Sequence, residues 1–195
     1  MIALSTCQPL RNKEDIQKIK DYFYNRKEWR NYALITIGLN TALRISDILH
    51  IKWNEVYNEK KECFYSHIHL IEQKTKKETF IILNHAVIDA LTIYKNSMEQ
   101  FCISDYIFCS SKKKGQPLSR VQAFRIIKAA TKENNLGEHI SCHSLRKTFG
   151  YQAWKSGAEP ALLMTIYNHS SYAITKRYLG IDQDDKDALF LEINL

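Results

Sequence analysis

The sequence predicts a mainly α-helical fold with one small antiparallel β-sheet, an α+β arrangement. Three observations point to it. Apolar residues recur at helical spacing along most of the chain. One stretch alternates instead: Phe64, Ser66, Ile68 and Leu70 fall on one side of a strand, Tyr65, His67 and His69 on the other. A second apolar run, Phe80-Ile-Ile-Leu83, follows, and the polar Lys74–Glu78 between them reads as a hairpin tip, with no Gly or Asn to mark the turn.

Taken in order, Asn12 is placed to cap a helix to about Arg26, with Ile16, Ile19 and Phe23 as its apolar stripe. A helix from about Trp29 to Leu43 is apolar most of the way round, and is therefore predicted to be central and buried. Ser46 or Asp47 caps a short helix to about Ile51. After the hairpin, Asn84 or His85 starts a helix to about Met98, and Tyr106–Cys109 is a short buried piece. Ser111–Pro117 is a loop by composition. Ser119 caps a helix to about Glu133 with Phe124, Ile127 and Ala130 inward. Ser141 or His143 opens the next helix, which Gly157 stops. Pro160 suits the first turn of another, ending near Asn168. Ser170 or Ser171 caps a helix holding Tyr178, closed by Gly180, and the last segment carries an apolar patch in Ala188, Leu189, Phe190, Leu191 and Ile193.

At 195 residues, 45% apolar and 25% charged, the chain suits one globular core. No apolar run reaches the roughly 18 to 20 residues of a membrane span, and the start lacks a secretory pattern, so a cytoplasmic protein is expected. Five cysteines without a Cys-x-x-Cys pair argue against a disulfide framework or a thiolate zinc site. They are expected as small buried hydrophobes. The tail from Asp182 to Leu195 has five acids and one base. Taking that net −4 from the total of +7 leaves a body of +11, which favours a polyanionic partner.

Several side chains suit phosphate chemistry. His143 and Arg146 are three apart on a predicted helix and share a face, so both can donate to one phosphate. Arg44 lies among Ala42, Leu43, Ile45, Ile48 and Leu49, and needs a partner there. Asp47 is the nearest candidate, as a structural ion pair. Lys74 at the hairpin tip is either a solvated surface lysine or a mobile acid on a flexible arm, and Lys76 or Lys77 could serve instead or bind backbone phosphates. His169 follows a helix end, where capping or packing is the ordinary role. Tyr178 is an ordinary packing residue unless cations activate a phosphate beside it, since its hydroxyl is protonated at neutral pH.

Together, Arg44, Lys74, His143, Arg146, His169 and Tyr178 stand in an order and spacing that resemble the tyrosine recombinase (phage integrase) catalytic domain. The resemblance runs from about Cys7-Gln-Pro-Leu10 to the tail. It includes Arg44-Ile-Ser-Asp47, Lys74-Thr75, His143-Ser-Leu-Arg-Lys-Thr148, His169-Ser-Ser171 and Tyr178. Two departures are visible: Ala42 stands where the family often has Gly, and Tyr167-Asn168-His169 where it has Leu-Gly-His. The resemblance implies a catalytic domain over residues 1–181 and a tail over 182–195, which docks on a neighbouring protomer or folds back on its own body. Full-length integrases add an N-terminal DNA-clamping domain, whereas the single-domain fimbrial-switch invertases are about this length.

The implied activity is site-specific DNA recombination through a 3′-phosphotyrosyl intermediate, in integration, excision or inversion. Tyr178 attacks, Arg44 and Arg146 hold the non-bridging oxygens, and Lys74 protonates the leaving 5′-oxygen. His143 accepts the Tyr proton, His169 binds the phosphate, and Asp47 braces the arginine site. Lys76, Lys77, Lys112, Lys113, Lys114, Arg120 and Lys147 are expected on the DNA backbone. No metal, cofactor or ATP is implied. The partner is double-stranded DNA, with a homotetramer on synapsed sites. Whether the free chain is a monomer, and whether a DNA-bending protein assists, stay open. The alternatives are a DNA-binding regulator that no longer cuts, a type IB topoisomerase-like relaxing enzyme and, more distantly, an RNA-binding module.

Overall fold

A computed structural model describes residues 7–110 and 115–193. The fold is built round α2 (Trp29–Asn40), in which Ala33 through Leu39 are all buried. A helix apolar on every side must be covered on every side. α1 (Lys13–Asn25), α4 (His85–Asn96) and α6 (Cys142–Lys155) pack against it. α6 comes close at Gly38, where an added methyl would lie 2.7 Å from Leu145 Cδ1.

Three apolar clusters result. One joins α2, α3 (Ile45–Leu49) and α4 around Trp53, Leu91, Ile107 and Phe108. A second joins α1, α2, α5 (Arg120–Glu133) and α6 through Ile19, Phe23, Ile35, Ile127 and Leu145. The third is smaller, with Ala42, Tyr151, Tyr167, Leu179 and Ile181 binding α6 to α7 (Pro160–Tyr167) and α8 (Tyr172–Leu179). Asn84, Ser119 and Ser171 cap α4, α5 and α8 with their side chains. Asn12 stands at the head of α1, but its side chain makes no cap bond. Phe124, expected inward, is exposed, because Ala123, Ile127 and Ala130 form the buried stripe of α5.

The alternating stretch expected as one strand is broken between Phe64 and His67. Cys63–Phe64 (β2) turns away to pair with Tyr57–Asn58 (β1), where the Tyr57 and Phe64 rings meet at 5.0 Å. The remainder, β3 (His67–Ile71), pairs antiparallel with β4 (Glu78–Ile82). There are therefore two two-stranded sheets among the described residues instead of one. The tip between β3 and β4 closes through Lys76 N–H to Glu72 O and Glu72 N–H to Lys77 O, both 2.9 Å. Lys76 takes the left-handed conformation, φ 59°, that a glycine or asparagine would ordinarily supply.

α9 (Asp182–Glu192) is pinned at its root, where Arg11 pairs with Asp184 and donates to Gly180 O at 2.9 Å. Its far end is bare: Phe190 is 79% and Leu191 84% exposed. The cysteines differ from expectation. Cys63 and Cys102 are exposed, and Cys7, Cys109 and Cys142 are half-buried; none of the five is in a disulfide. No described helix is long and apolar enough to cross a membrane.

Gly150 in α6 is where Tyr167 and Leu179 close in. A methyl there would lie 2.5 Å from the Tyr167 hydroxyl and 2.6 Å from Leu179 Cδ2. Gly150→Ala should cost about 1–3 kcal/mol in urea unfolding by overpacking. An unchanged midpoint would mean that α7 and α8 are free to back away.

Candidate active site

The site starts at the turn after α2. Ala42 takes φ 53°, a left-handed conformation that favours glycine. This explains the first departure from the family pattern: the backbone keeps the glycine geometry with an alanine in place. The turn does two things. It leads into Arg44, the N-cap residue of α3. It also aims the Ala42 carbonyl at Arg146, whose Nη1 donates to it. Arg146 is 5% exposed and lies 4.8 Å over the Tyr167 ring.

Arg44 does not pair with Asp47. Its Nη1 donates to Glu72 Oε2 at 2.6 Å. Asp47 faces the hairpin instead, with Oδ1 accepting from Gln73 N–H at 2.9 Å. Its Oδ2 is buried with no hydrogen-bond partner among the described residues. Glu72 also accepts from Thr75 Oγ1 at 2.5 Å. Burial pushes its carboxyl pKa up, but the Thr75 and Arg44 hydrogen bonds and the Arg44 and Arg146 charges outweigh that and hold it below the usual range. Glu72 did not stand out in the sequence. A glutamate at a strand end reads as solvated, and its partner lies 28 residues away.

Lys74 is exposed at the tip, and nothing among the described residues hydrogen-bonds its ammonium. Lys76 and Lys77 are exposed beside it, and Lys77 Nζ donates to Asn168 Oδ1. Arg120 is exposed at the head of α5. Lys112, Lys113 and Lys114 lie outside the described residues. Lys147 is not where a DNA-backbone contact was expected. It is 4% exposed, its Nζ donates to Cys7 O at 2.7 Å, and it sits 5.2 Å from the Tyr178 ring centre. Burial lowers its pKa. The backbone at Cys7 covers its ammonium.

The remaining groups converge from α6, α7 and α8. His143 stands in the first turn of α6 with part of its surface open to solvent; partial burial of its ring and then the charges of Arg120, Arg146, Lys147 and Arg44 lower its pKa. Tyr167, missed as more than a departure, is the platform. Its hydroxyl donates to Arg146 O at 2.7 Å, and its ring lies 5.7 Å from His169 and 5.2 Å from Tyr178. The next residue, Asn168, takes φ 55°. That is the second family glycine position, and asparagine tolerates the left-handed region. His169 Nδ1 lies 3.0 Å from Thr175 Oγ1, and burial followed by Arg146 and Arg44 lowers its pKa. Tyr178 meets His169 edge-on at 5.2 Å. Burial raises its pKa; the charge of Arg146 pulls the other way.

The structure thus gathers Arg44, Arg146, His143, His169 and Tyr178 of one chain, with Lys74 on the adjoining arm. Cationic donors, neutral imidazoles and one protonated phenol together can polarise a phosphodiester and move a proton. Beside them a groove of about 930 Å³ runs between β4 and α7, past Phe80, Ile82, Phe149 and Met164. Among the described residues no group of His, Cys, Asp or Glu could hold a metal ion.

This is the fold of a tyrosine recombinase catalytic domain. The XerA recombinase superposes with a TM-score of 0.73 at 18% identity, covering 95% of this chain and 63% of that one. XerH bound to a palindromic difH substrate, in a post-cleavage complex, gives 0.71 at 19% identity, over 95% of this chain and 53% of that one. The chain belongs to the phage integrase family, which it matches over residues 11–184. A probable integrase/recombinase of Bacillus subtilis (strain 168), YoeC, is 39% identical over 183 residues, 94% of each chain. The tyrosine recombinase XerC of Caldanaerobacter subterraneus subsp. tengcongensis is 29% identical over 157 residues, 78% of this chain and 42% of that one. The chain spans nearly all of the Bacillus relative, but only about half of the named tyrosine recombinases that it matches.

Both imidazoles are harder to protonate here than in the unfolded chain. Their contribution to stability is therefore present above the unfolded imidazole pKa, about 6.5, and is lost as the pH falls towards the folded values. The urea midpoint should drop on going from about pH 8 to about pH 5, and replacing both His143 and His169 by Gln should flatten that slope. An unaltered slope would contradict the neutral-imidazole site.

Proposed function

We propose that the chain is a site-specific DNA recombinase that cuts and rejoins DNA through a 3′-phosphotyrosyl link, without metal or ATP. The observation that supports this most is Tyr178 set edge-on to His169 at 5.2 Å and within the field of the Arg146 charge, all in the same chain. A phenol with a raised pKa is a poor nucleophile until a base takes its proton. His143, kept neutral by burial and by the neighbouring cations, is suited to that task.

In the step proposed, Tyr178 oxygen bonds to phosphorus and the bond to the 5′-oxygen breaks. The phenolic proton passes to His143, and the leaving 5′-oxygen takes a proton from Lys74. Arg44 and Arg146 hold the non-bridging oxygens, His169 adds a hydrogen bond, and Asp47 braces the hairpin beside Arg44. Fixed donors aimed at developing charge are worth roughly 3 to 4 kcal/mol each. The phosphotyrosyl keeps the ester's energy, so a second 5′-hydroxyl reverses the step as strand exchange. Exchange takes two duplexes and four protomers. Lys76, Lys77 and Arg120, all exposed, are the groups proposed to contact backbone phosphates. The bare apolar end of α9 suits docking on a neighbouring protomer. The compartment proposed is the cytoplasm.

A pool of nicked duplexes with a randomised segment, from which denaturant-resistant adducts are captured and sequenced, tests this reading. One family of sequences should be captured, and Tyr178→Phe should abolish capture. Capture that survives the substitution would move the nucleophile elsewhere. Binding of one sequence without adducts would favour a regulator, and relaxation of any plasmid would favour a topoisomerase. Arg146→Ala should lower the adduct rate by at least about a hundredfold with near-normal binding; equal losses of both would contradict its role. Phe190→Asp should leave the adduct intact and stop strand exchange between two sites, measured on paired duplexes. Normal exchange would count against the docking tail.

A further inference from the structure

We infer that Glu72 is the residue that positions Lys74, the acid of the reaction. The inference rests on the recombinase reading and adds to it a group that the catalytic pattern does not contain.

Lys74 is held by its neighbours. On one side, Gln73 N–H is fixed to Asp47 Oδ1 on α3 at 2.9 Å. On the other, Thr75 Oγ1 donates to Glu72 Oε2 at 2.5 Å. The same Glu72 oxygen accepts from Arg44 Nη1 at 2.6 Å. Glu72 also closes the tip with both of its backbone groups, to Lys76 and Lys77. It is 7% exposed, buried beneath an arm whose tip residues Gln73, Lys74 and Lys76 are all exposed. One carboxylate therefore joins the arm that carries the acid to the guanidinium that is to hold the phosphate. The backbone at residue 74 is set relative to Arg44, and only the lysine side chain is left to move.

A general acid works only within hydrogen-bond reach of the oxygen it protonates. Misplacement by about 1 Å costs up to roughly a hundredfold in rate. The charge of Glu72 predicts the opposite trend for binding. It is a negative group beside two guanidiniums, and its removal strengthens their hold on a phosphate. Slower cleavage with equal or tighter binding is the mark of a positioning role. If Glu72 merely obstructed the phosphate, removing its charge would speed cleavage.

The experiment uses a nicked duplex of the captured sequence, made with either oxygen or sulfur at the bridging 5′-position of the scissile phosphate. A thiolate leaves without taking up a proton, so the sulfur duplex needs no acid. Glu72→Gln should form adduct roughly tenfold or more slowly on the oxygen duplex, and within about twofold of the wild-type rate on the sulfur duplex. Thr75→Val should follow the same pattern, and gives the result should Glu72→Gln not fold. Equal losses on both duplexes, or no loss on the oxygen duplex, would overturn the inference. Wild-type adducts on the sulfur duplex that persist in Tyr178→Phe would instead overturn the recombinase reading itself.

Discussion

Mutual repulsion among cations is the constraint to which the rest of the site answers. His143 feels the charges of Arg44, Arg146 and Lys147, and His169 those of the two arginines. At the low effective dielectric of a half-buried site such crowding is costly unless each charge has a partner. Arg44 has the Glu72 carboxylate, Arg146 the Ala42 carbonyl, and Lys147 the Cys7 carbonyl. The imidazoles answer differently, by staying neutral. In the proposed function, an arriving phosphate would relieve the residual repulsion between the guanidiniums as well as making its own contacts.

The scaffold holds these charges by two backbone devices and one aromatic. Ala42 and Asn168 both sit in the left-handed region, which costs a non-glycine residue roughly 1–2 kcal/mol, less for asparagine. Each redirects the chain at a helix end: one aims a carbonyl at Arg146, the other turns the chain into His169. Tyr167 fills the space between, under the guanidinium and beside both His169 and Tyr178. It fits because Gly150 offers no side chain there. The third apolar cluster is thus the floor of the site.

What could be read in the sequence was what local signals encode. Ser119, Ser171, Gly157 and Gly180 mark helix ends through their own backbone needs, and the apolar circumference of α2 announces a central helix. The two departures from the glycine pattern were visible as letters, but their shared geometry was not. Pairings across long loops were hidden. Glu72 reaches Arg44 across 28 residues, and Lys147 is covered by Cys7 across 140. Nearest-neighbour logic gave Arg44 to Asp47 because they are three apart; the fold spends Asp47 on the hairpin backbone instead. Tyr57 and Phe64 likewise found each other through packing that no alternation pattern contains.

The cysteines carry a practical consequence. Burial pushes the Cys142 thiol up to about 11 and raises that of Cys109, so both stay protonated and unreactive at neutral pH. Cys7 is half-buried, with its sulfur against Ser144 and Ser141 at 3.1 and 3.2 Å. Cys63 and Cys102 stand open to solvent. Maleimide dyes will therefore settle on those two first, which makes the natural chain ready for fluorescence work without engineered attachment points.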